Sequence, residues 1–122
     1  MHRIKEEQVQ MKSLGLIEIP SVAAAVTALD TMCKTADVEF VTWERKLGGR
    51  LVTVVVQGDV SAVTQAVESA VEKALLKPAA YAVIANPHEE VWRMVEISAS
   101  RMKRKLEETE KKAADSIAVK EC

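Results

Sequence analysis

VEFVTWERKLGGRLVTVVVQG, residues 38–58, has the pattern of a β-hairpin. Its first arm alternates with period two, placing Val38, Phe40 and Thr42 on one side and Glu39, Val41 and Trp43 on the other. The second arm is a nearly unbroken β-branched run, typical of a strand buried on both faces. Between the arms, Gly48-Gly49 permits the positive φ angles of a tight turn. Because so apolar a hairpin is unstable alone in water, other elements must cover it.

The residues before the hairpin predict a strand and a helix. Residues 11–19 alternate between apolar and polar positions and end at Pro20, which predicts a strand. Ser21 then supplies an N-cap for a helix over residues 22–34. The spacing predicts an apolar face formed by Val22, Val26, Leu29 and Cys33. The alanines of this helix would let it lie close to a sheet.

The residues after the hairpin repeat this arrangement. Asp59 is a candidate N-cap for a helix over residues 60–77, which Pro78 ends. Its predicted apolar stripe contains Val60, Val63, Val67, Ala70, Val71, Ala74 and Leu75. Residues 79–85 form a short apolar strand. The order strand, helix, strand, strand, helix, strand predicts an α+β, ferredoxin-like split βαβ fold (βαββαβ). It has an antiparallel sheet with two helices on one face, and we expect the other face and the edges to be open.

Composition excludes several classes of function. The 122 residues suit one main domain, and an aromatic content of 3% predicts a core of Val, Ala, Leu and Ile. A net charge of −1 argues against sequence-independent nucleic-acid binding. Cys33 and Cys122 are too few for a disulfide framework, and no CxxC pair indicates zinc. We predict no cofactor, metal, signal peptide or membrane span, and hence a cytoplasmic protein.

Three segments are distinguished along the chain. Residues 1–11 are predicted to be a flexible N-terminal extension, residues 12–97 the folded domain, and residues 98–122 a charged C-terminal helix or tail. The last segment is rich in helix formers and carries favourable Glu–Lys pairs at i,i+4. Two interpretations of it stay open: a solvated or partly disordered tail, or a helix that docks on a partner or a neighbouring subunit.

Three motifs in register resemble a known family. Residues 14–18 (LGLIE) open the domain, residues 46–63 (KLGGRLVTVVVQGDVSAV) resemble a Lys-Ile-Gly-Ser-Gly, strand, Gly-Asp-Val signature, and residues 84–88 (IANPH) resemble an Ile-Pro-Arg-Pro-His end. The match spans about residues 12–97. The chain therefore resembles the hexamer-forming shell proteins of bacterial microcompartments.

The resemblance implies a flat homo-hexamer that tiles into a sheet together with other shell proteins of the same compartment. Six hairpin loops would meet on the six-fold axis around a narrow pore for small polar metabolites. The pore residues by this match are Lys46, Leu47, Gly48, Gly49 and Arg50. The residues at the contact between hexamers are Lys34, Asn86, Pro87 and His88. The tail from Ser98 is a candidate attachment site for encapsulated enzymes.

Departures from the family pattern carry their own predictions. Arg50 stands where many members have a third small residue, and it either points into the lumen, where six guanidiniums would favour anions, or begins the outgoing strand and only borders the pore. The arm before Lys46 is one residue longer than usual, which predicts a bulge near Glu44-Arg45. Asn86 and Gln57 replace family arginines, which predicts weaker self-tiling.

Other functions find less support in the residues. His88 lies beside Glu89 and Glu90, but general acid–base catalysis needs a partner positioned across a cleft. Cys33 is predicted to be a core residue, because a reactive thiolate needs an accessible electropositive setting. The same fold serves RNA-recognition modules, yet these need aromatic residues on the central strands, and residues 51–56 have none. An oligomeric regulatory protein that binds a metabolite between subunits stays open.

Overall fold

A computed structural model describes residues 12–45 and 50–121 of the chain. The elements are β1 (Ser13–Ile19), α1 (Val22–Thr35), β2 (Glu39–Glu44), β3 (Val52–Gly58), α2 (Val60–Lys73), β4 (Ala80–Ile84) and α3 (Glu89–Glu121). The predicted N-terminal extension over residues 1–11 and Cys122 lie outside the described residues.

The four strands form one antiparallel sheet in the order β2-β3-β1-β4. β1 lies in the middle: it pairs with β3 from Ser13 opposite Gly58 to Ile19 opposite Val52, and its Leu14 pairs with Ile84 of β4. Sequential strands β1 and β2 are therefore separated by β3, as the split βαβ plan requires. The predicted α+β, ferredoxin-like fold is confirmed.

The helices α1 and α2 cover one face of the sheet over a core of small aliphatic side chains. Its buried members are Ile17, Ile19, Ala24, Ala25, Ala28, Met32, Val38, Val52, Val54, Val56, Val63, Ala66, Val67 and Ala70. Close approach is possible because β1 carries a glycine here. A Cβ on Gly15 would lie 2.7 Å from Cγ1 of Val63 and 2.8 Å from Cγ2 of Val67, so α2 packs directly on the strand backbone.

The face of α1 that contacts the sheet differs from the predicted one. The buried residues are Ala24, Ala25, Ala28 and Met32. Val22 and Val26 are exposed. Cys33 is also exposed, so the prediction that Cys33 is a core residue is wrong. Apolar residues lie on more than one side of α1, so the sequence does not determine which side faces the sheet. The face that carries the alanines is buried because small side chains let the helix lie closest to the sheet. The Ser21 cap is confirmed, since its Oγ accepts a hydrogen bond from the Ala24 amide.

The second helix is shorter than predicted. α2 ends at Lys73 rather than Lys77, and its buried residues are Val63, Ala66, Val67 and Ala70. The ends of the predicted stripe, Val60 and Leu75, are exposed. Asp59 occupies the N-cap position but its side chain makes no capping hydrogen bond.

The first arm of the hairpin contains a bulge, but not where it was predicted. Phe40 pairs with Val56 and Thr42 with Val55, so Val41 is the extra residue. The predicted alternation is wrong beyond this point. Thr42 bonds to α3 and Trp43 packs against the core under α1 and α2. Apolar residues occur on both sides of the predicted arm, so the sequence pattern does not reveal the slip near Val41. The extra residue relative to the resembled family predicted a bulge but did not locate it.

The second face of the sheet, expected to be open, is covered by the first part of α3. Leu14, Val55 and Val95 are buried there, with Leu16, Val41, Ile84, Val91 and Trp92 packed around them. α3 runs without a break through Ser98, where sequence analysis placed a boundary, so the C-terminal segment continues a helix that begins within the predicted domain. From Lys103 to Ser116 its side chains are exposed. The division into domains stays a prediction.

A polar cluster, which we call the α3 latch, joins this helix to β2. It consists of Thr42, Glu44, Ser98 and Arg101. The Ser98 hydroxyl donates to Oε2 of Glu44, so Oγ1 of Thr42 donates to Oγ of Ser98 at 2.9 Å. An Arg101 guanidinium nitrogen lies 3.6 Å from the same Glu44 oxygen.

Within the described ranges, none of the helices is long and apolar enough to cross a membrane.

Candidate functional site

The two arms of the hairpin, β2 and β3, meet at one end of the sheet. The last ladder pair is Glu44 opposite Thr53, and the next pair of the central strands is Ile19 opposite Val52. The two hairpin arms therefore end at the same end of the sheet as β1. Of the predicted pore residues, Lys46, Leu47, Gly48 and Gly49 lie outside the described residues.

Arg50 is the part of the predicted pore that the structure describes. It is exposed and lies in a turn, two residues before β3 begins at Val52. Arg50 therefore belongs to the connection and not to the outgoing strand. On the other arm Arg45 is also exposed, with its guanidinium carbon 5.6 Å from the centre of the Trp43 ring, a cation–π contact. The hairpin end is consequently basic on both sides of the loop.

Lys34 lies in the last turn of α1 and is exposed. Its Nζ is 2.9 Å from Oδ2 of Asp30, an i,i+4 ion pair whose side chains are 75% and 58% exposed. A pair so exposed contributes little to stability. The pair holds the lysine side chain along the exposed surface of the helix.

Asn86, Pro87 and His88 form the turn between β4 and α3. Asn86 has φ +50°, a left-handed conformation that asparagine tolerates better than most residues. Pro87 is buried, whereas Asn86 and His88 are exposed. Nδ1 of His88 accepts a hydrogen bond from the Glu90 amide at 3.1 Å, and the His88 carbonyl accepts from Val91. His88 therefore caps the start of α3.

The two groups of predicted residues lie at opposite ends of the subunit. The antiparallel register puts the ends of the two hairpin arms, Glu44 and Val52, beside Ile19 at the end of β1. The same register puts Ile84 opposite Leu14, so the turn at residues 86–88 lies beyond the start of β1. α1 runs back from the end of β1, which brings Lys34 to that second end as well. The structure thus groups the edge residues together and separates them from the hairpin.

The outer strand β4 is unusually bare. Its sequence AYAVI has no charged residue, and Ala80 to Val83 are all exposed. Tyr81 is 58% exposed and Val83 36%. Natural edge strands are normally protected by charges, proline or a covering element, because their free hydrogen-bonding groups otherwise recruit other chains. The opposite edge, β2, carries Glu39 and Glu44 and lies under α3.

The described residues give no support for a metal site or for catalysis by His88. No group of three His, Cys, Asp or Glu side chains within residues 12–45 and 50–121 could hold a metal ion. His88 bonds to backbone and makes no ion pair with Glu89 or Glu90 in that part of the chain. The one polar cluster that sequence reasoning missed is the α3 latch. The 4-3 spacing of Val91, Val95 and Ser98 could have placed Ser98 on the buried face of α3, but no local signal identifies its partners on β2.

Comparisons with known proteins agree on one family. A model described as the BMC domain matches residues 13–87. The chain is 40% identical over 84 residues to the bacterial microcompartment shell protein PduA of Salmonella typhimurium, covering 67% of this chain and 88% of that protein. It is 40% identical over 82 residues to the carboxysome shell protein CsoS1A of Hydrogenovibrio crunogenus, covering 65% and 84%.

Two further similarities involve longer proteins. The shell protein PduT of Citrobacter freundii is 44% identical over 89 residues, which cover 69% of this chain and 47% of PduT. The crystal structure of a microcompartment protein from Desulfitobacterium hafniense superposes with a TM-score of 0.63 at 27% identity, covering 72% of this chain and 48% of that one. The matched family range begins at β1 and ends at Pro87, before α3 begins.

Proposed function

This chain belongs to the BMC domain family of bacterial microcompartment shell proteins, and we propose that six copies form a hexamer whose hairpins surround a central pore. The hexamers tile into a sheet with other shell proteins of the same compartment. The pore admits small polar metabolites and slows the escape of intermediates. We expect the protein to be non-enzymatic and to reside in the cytoplasm, within the shell.

One observation carries the proposal: the hairpin and the predicted edge residues lie at opposite ends of each subunit. In a ring with six-fold symmetry, one end of every subunit faces the axis and the other faces outward. The hairpin end then frames the pore. Lys34 and the turn at residues 86–88 then lie on the perimeter, where a neighbouring hexamer can contact them.

The bare strand β4 supports association between copies. A soluble monomer gains little from an uncharged, exposed edge strand and risks indiscriminate pairing. A specific neighbour in the ring would cover Tyr81 and Val83 and remove that risk. We therefore expect Tyr81→Lys to weaken the hexamer, whereas Leu106→Lys, at a similarly exposed apolar position on α3, leaves it intact.

The pore is expected to favour anions. Arg50 lies in the connecting turn, so six copies would bring six guanidiniums close to the axis. A ring of cationic side chains attracts anions and repels cations. Together with Lys46, Leu47, Gly48 and Gly49, this ring is proposed to select metabolites by width and by charge.

The exposed part of α3 is proposed to contact encapsulated enzymes. The side chains of residues 103–116 are exposed. Deleting residues from 98 onward would also remove Ser98 and Arg101 from the latch, so the informative truncation stops after Lys105. If that truncated protein captures cargo as well as the full chain does, the tail has no such role.

Native mass spectrometry tests the assembly. The proposal predicts a main species of six subunits of 13.4 kDa each. A trimer would instead favour the oligomeric regulatory protein that binds a metabolite between subunits. A monomer would contradict both readings. Negative-stain images of sheets or tubes, formed alone or with partner shell proteins, then test tiling.

A further inference from the structure

A cleft of about 440 Å³ lies between the end of β2 and α3, on the side of the subunit where the hairpin begins. We call it the basic cleft; it is lined by Trp43, Glu44, Arg45, Ser98, Arg101, Met102 and Lys105. All of these residues belong to a single chain, so one subunit supplies the whole lining of the cleft. It lies outside the predicted pore loop and away from the edge residues.

The charges that line the cleft do not balance. Three cations, Arg45, Arg101 and Lys105, face one carboxylate, that of Glu44. Glu44 is already occupied, because it accepts from Ser98 and lies 3.6 Å from Arg101. Among the described residues neither Arg45 nor Lys105 makes an ion pair. The cleft therefore holds a net charge of two positive units with donors to spare.

The walls of the cleft are held in place without a ligand. The α3 latch fixes Ser98 and Arg101 against β2 through a buried hydroxyl pair, Thr42 to Ser98 at 2.9 Å. Arg45 rests over the Trp43 ring, which restrains an otherwise mobile side chain. Donors that are restrained beforehand lose less conformational entropy when a ligand arrives.

From these observations we propose that the basic cleft binds a small organic molecule carrying a phosphate group. Arginine presents several donors in a planar fork that matches phosphoryl oxygens, and a lysine adds a point charge. The volume falls in the range of sites for organic ligands and exceeds what a free phosphate ion needs. Met102 supplies an apolar wall for the organic part.

Isothermal titration of the full-length protein at low salt tests the site. The probes are glucose 6-phosphate, AMP, inorganic phosphate and glucose. We expect at least one organic phosphate to bind more tightly than inorganic phosphate, and glucose not to bind. Binding should strengthen from pH 5 to pH 7, because the phosphate group gains its second charge near pH 6. Failure of both organic phosphates, or equal affinity for inorganic phosphate, would overturn the proposal.

Charge-removing variants locate the binding. Arg45→Gln and Lys105→Gln should each weaken binding about tenfold, the loss of one charge-assisted contact. Lys103→Gln is the matched control, since it removes the same charge from the same helix outside the cleft. An equal loss in the control, or none in Lys105→Gln, would contradict the assignment. Native mass spectra of the same samples report the oligomer separately, so failure of the hexamer proposal is distinguishable from failure of this one.

Discussion

Fourteen buried aliphatic residues cover the sheet face under α1 and α2, whereas the face under α3 buries three and adds the polar latch. The first face is held by apolar area, which is non-directional and spread over many side chains. The second depends on a few contacts with fixed geometry. We infer that α1, α2 and the sheet form the cooperative core, and that α3 is the part that opens at lower free energy.

The largest effect is expected in the first face, from Met32→Ala. Met32 is fully buried on α1, and truncation should lower the free energy of unfolding by about 2–5 kcal/mol through lost burial and a residual cavity. Urea unfolding followed by circular dichroism measures this.

Val26→Ala is the matched control on the same helix. Val26 is 51% exposed, so its change should stay within about 0.5 kcal/mol. If Val26→Ala costs as much as Met32→Ala, the assignment of the buried face of α1 is wrong.

The next largest effect tests the close approach of α2 to β1. Gly15→Ala places a methyl group within 2.8 Å of both Val63 and Val67, and overpacking of this kind costs about 1–3 kcal/mol. The same urea titration gives the value. The double variant with Val63→Ala should lose less free energy of unfolding than the sum of the losses in the two single variants, because the smaller side chain makes room for the added methyl group. Strict additivity would indicate that the glycine is not needed for this contact.

A smaller effect is expected in the second face. Ser98→Ala removes the hydroxyl that joins Thr42 to Glu44 and should cost about 1–2 kcal/mol. Hydrogen exchange should show faster exchange in α3 while α1 and α2 stay protected. Ser100→Ala, at an exposed position of the same helix, is the control. Uniformly faster exchange in all helices would contradict the inferred independence of α3.

The smallest effect on stability, but a large one on assembly, is expected from Lys34→Ala. Its ion pair with Asp30 is exposed, so unfolding should change by less than about 0.5 kcal/mol. Negative-stain microscopy should nevertheless show loss of sheets or tubes.

The control is Lys73→Ala, since Lys73 also stands in the last turn of a 14-residue helix. Sheets lost in both variants, or in neither, would remove Lys34 from the proposed perimeter contact.

The sequence patterns predicted the order of helices and strands better than they predicted how these elements pack. Strand alternation, Pro20 after the first strand and Pro78 after the second helix were enough for the element order, because each signal is local. The orientation of α1 was not predictable, since apolar residues lie on two sides of the helix, Val22 and Val26 on one and the buried alanines with Met32 on the other. The bulge at Val41 was invisible for a similar reason, as apolar residues occur on both sides of that arm.

The candidate site shows the same limit. Lys34 and the turn at residues 86–88 could be named by resemblance, and the register of the sheet then brought them to one end. The latch could not be named, because Thr42 and Ser98 are 56 residues apart and each is an ordinary polar residue in its own segment. A shared site of this kind arises only from tertiary packing.

The central claim is that hairpins face the symmetry axis while Lys34 lies on the perimeter. Distances between spin labels in isolated hexamers test it directly, using Arg50→Cys or Lys34→Cys in a background where Cys33 and Cys122 are serine. The account predicts that the shortest distance between subunits is clearly smaller for labels at residue 50 than for labels at residue 34. Equal distances, or a shorter one at residue 34, would contradict it.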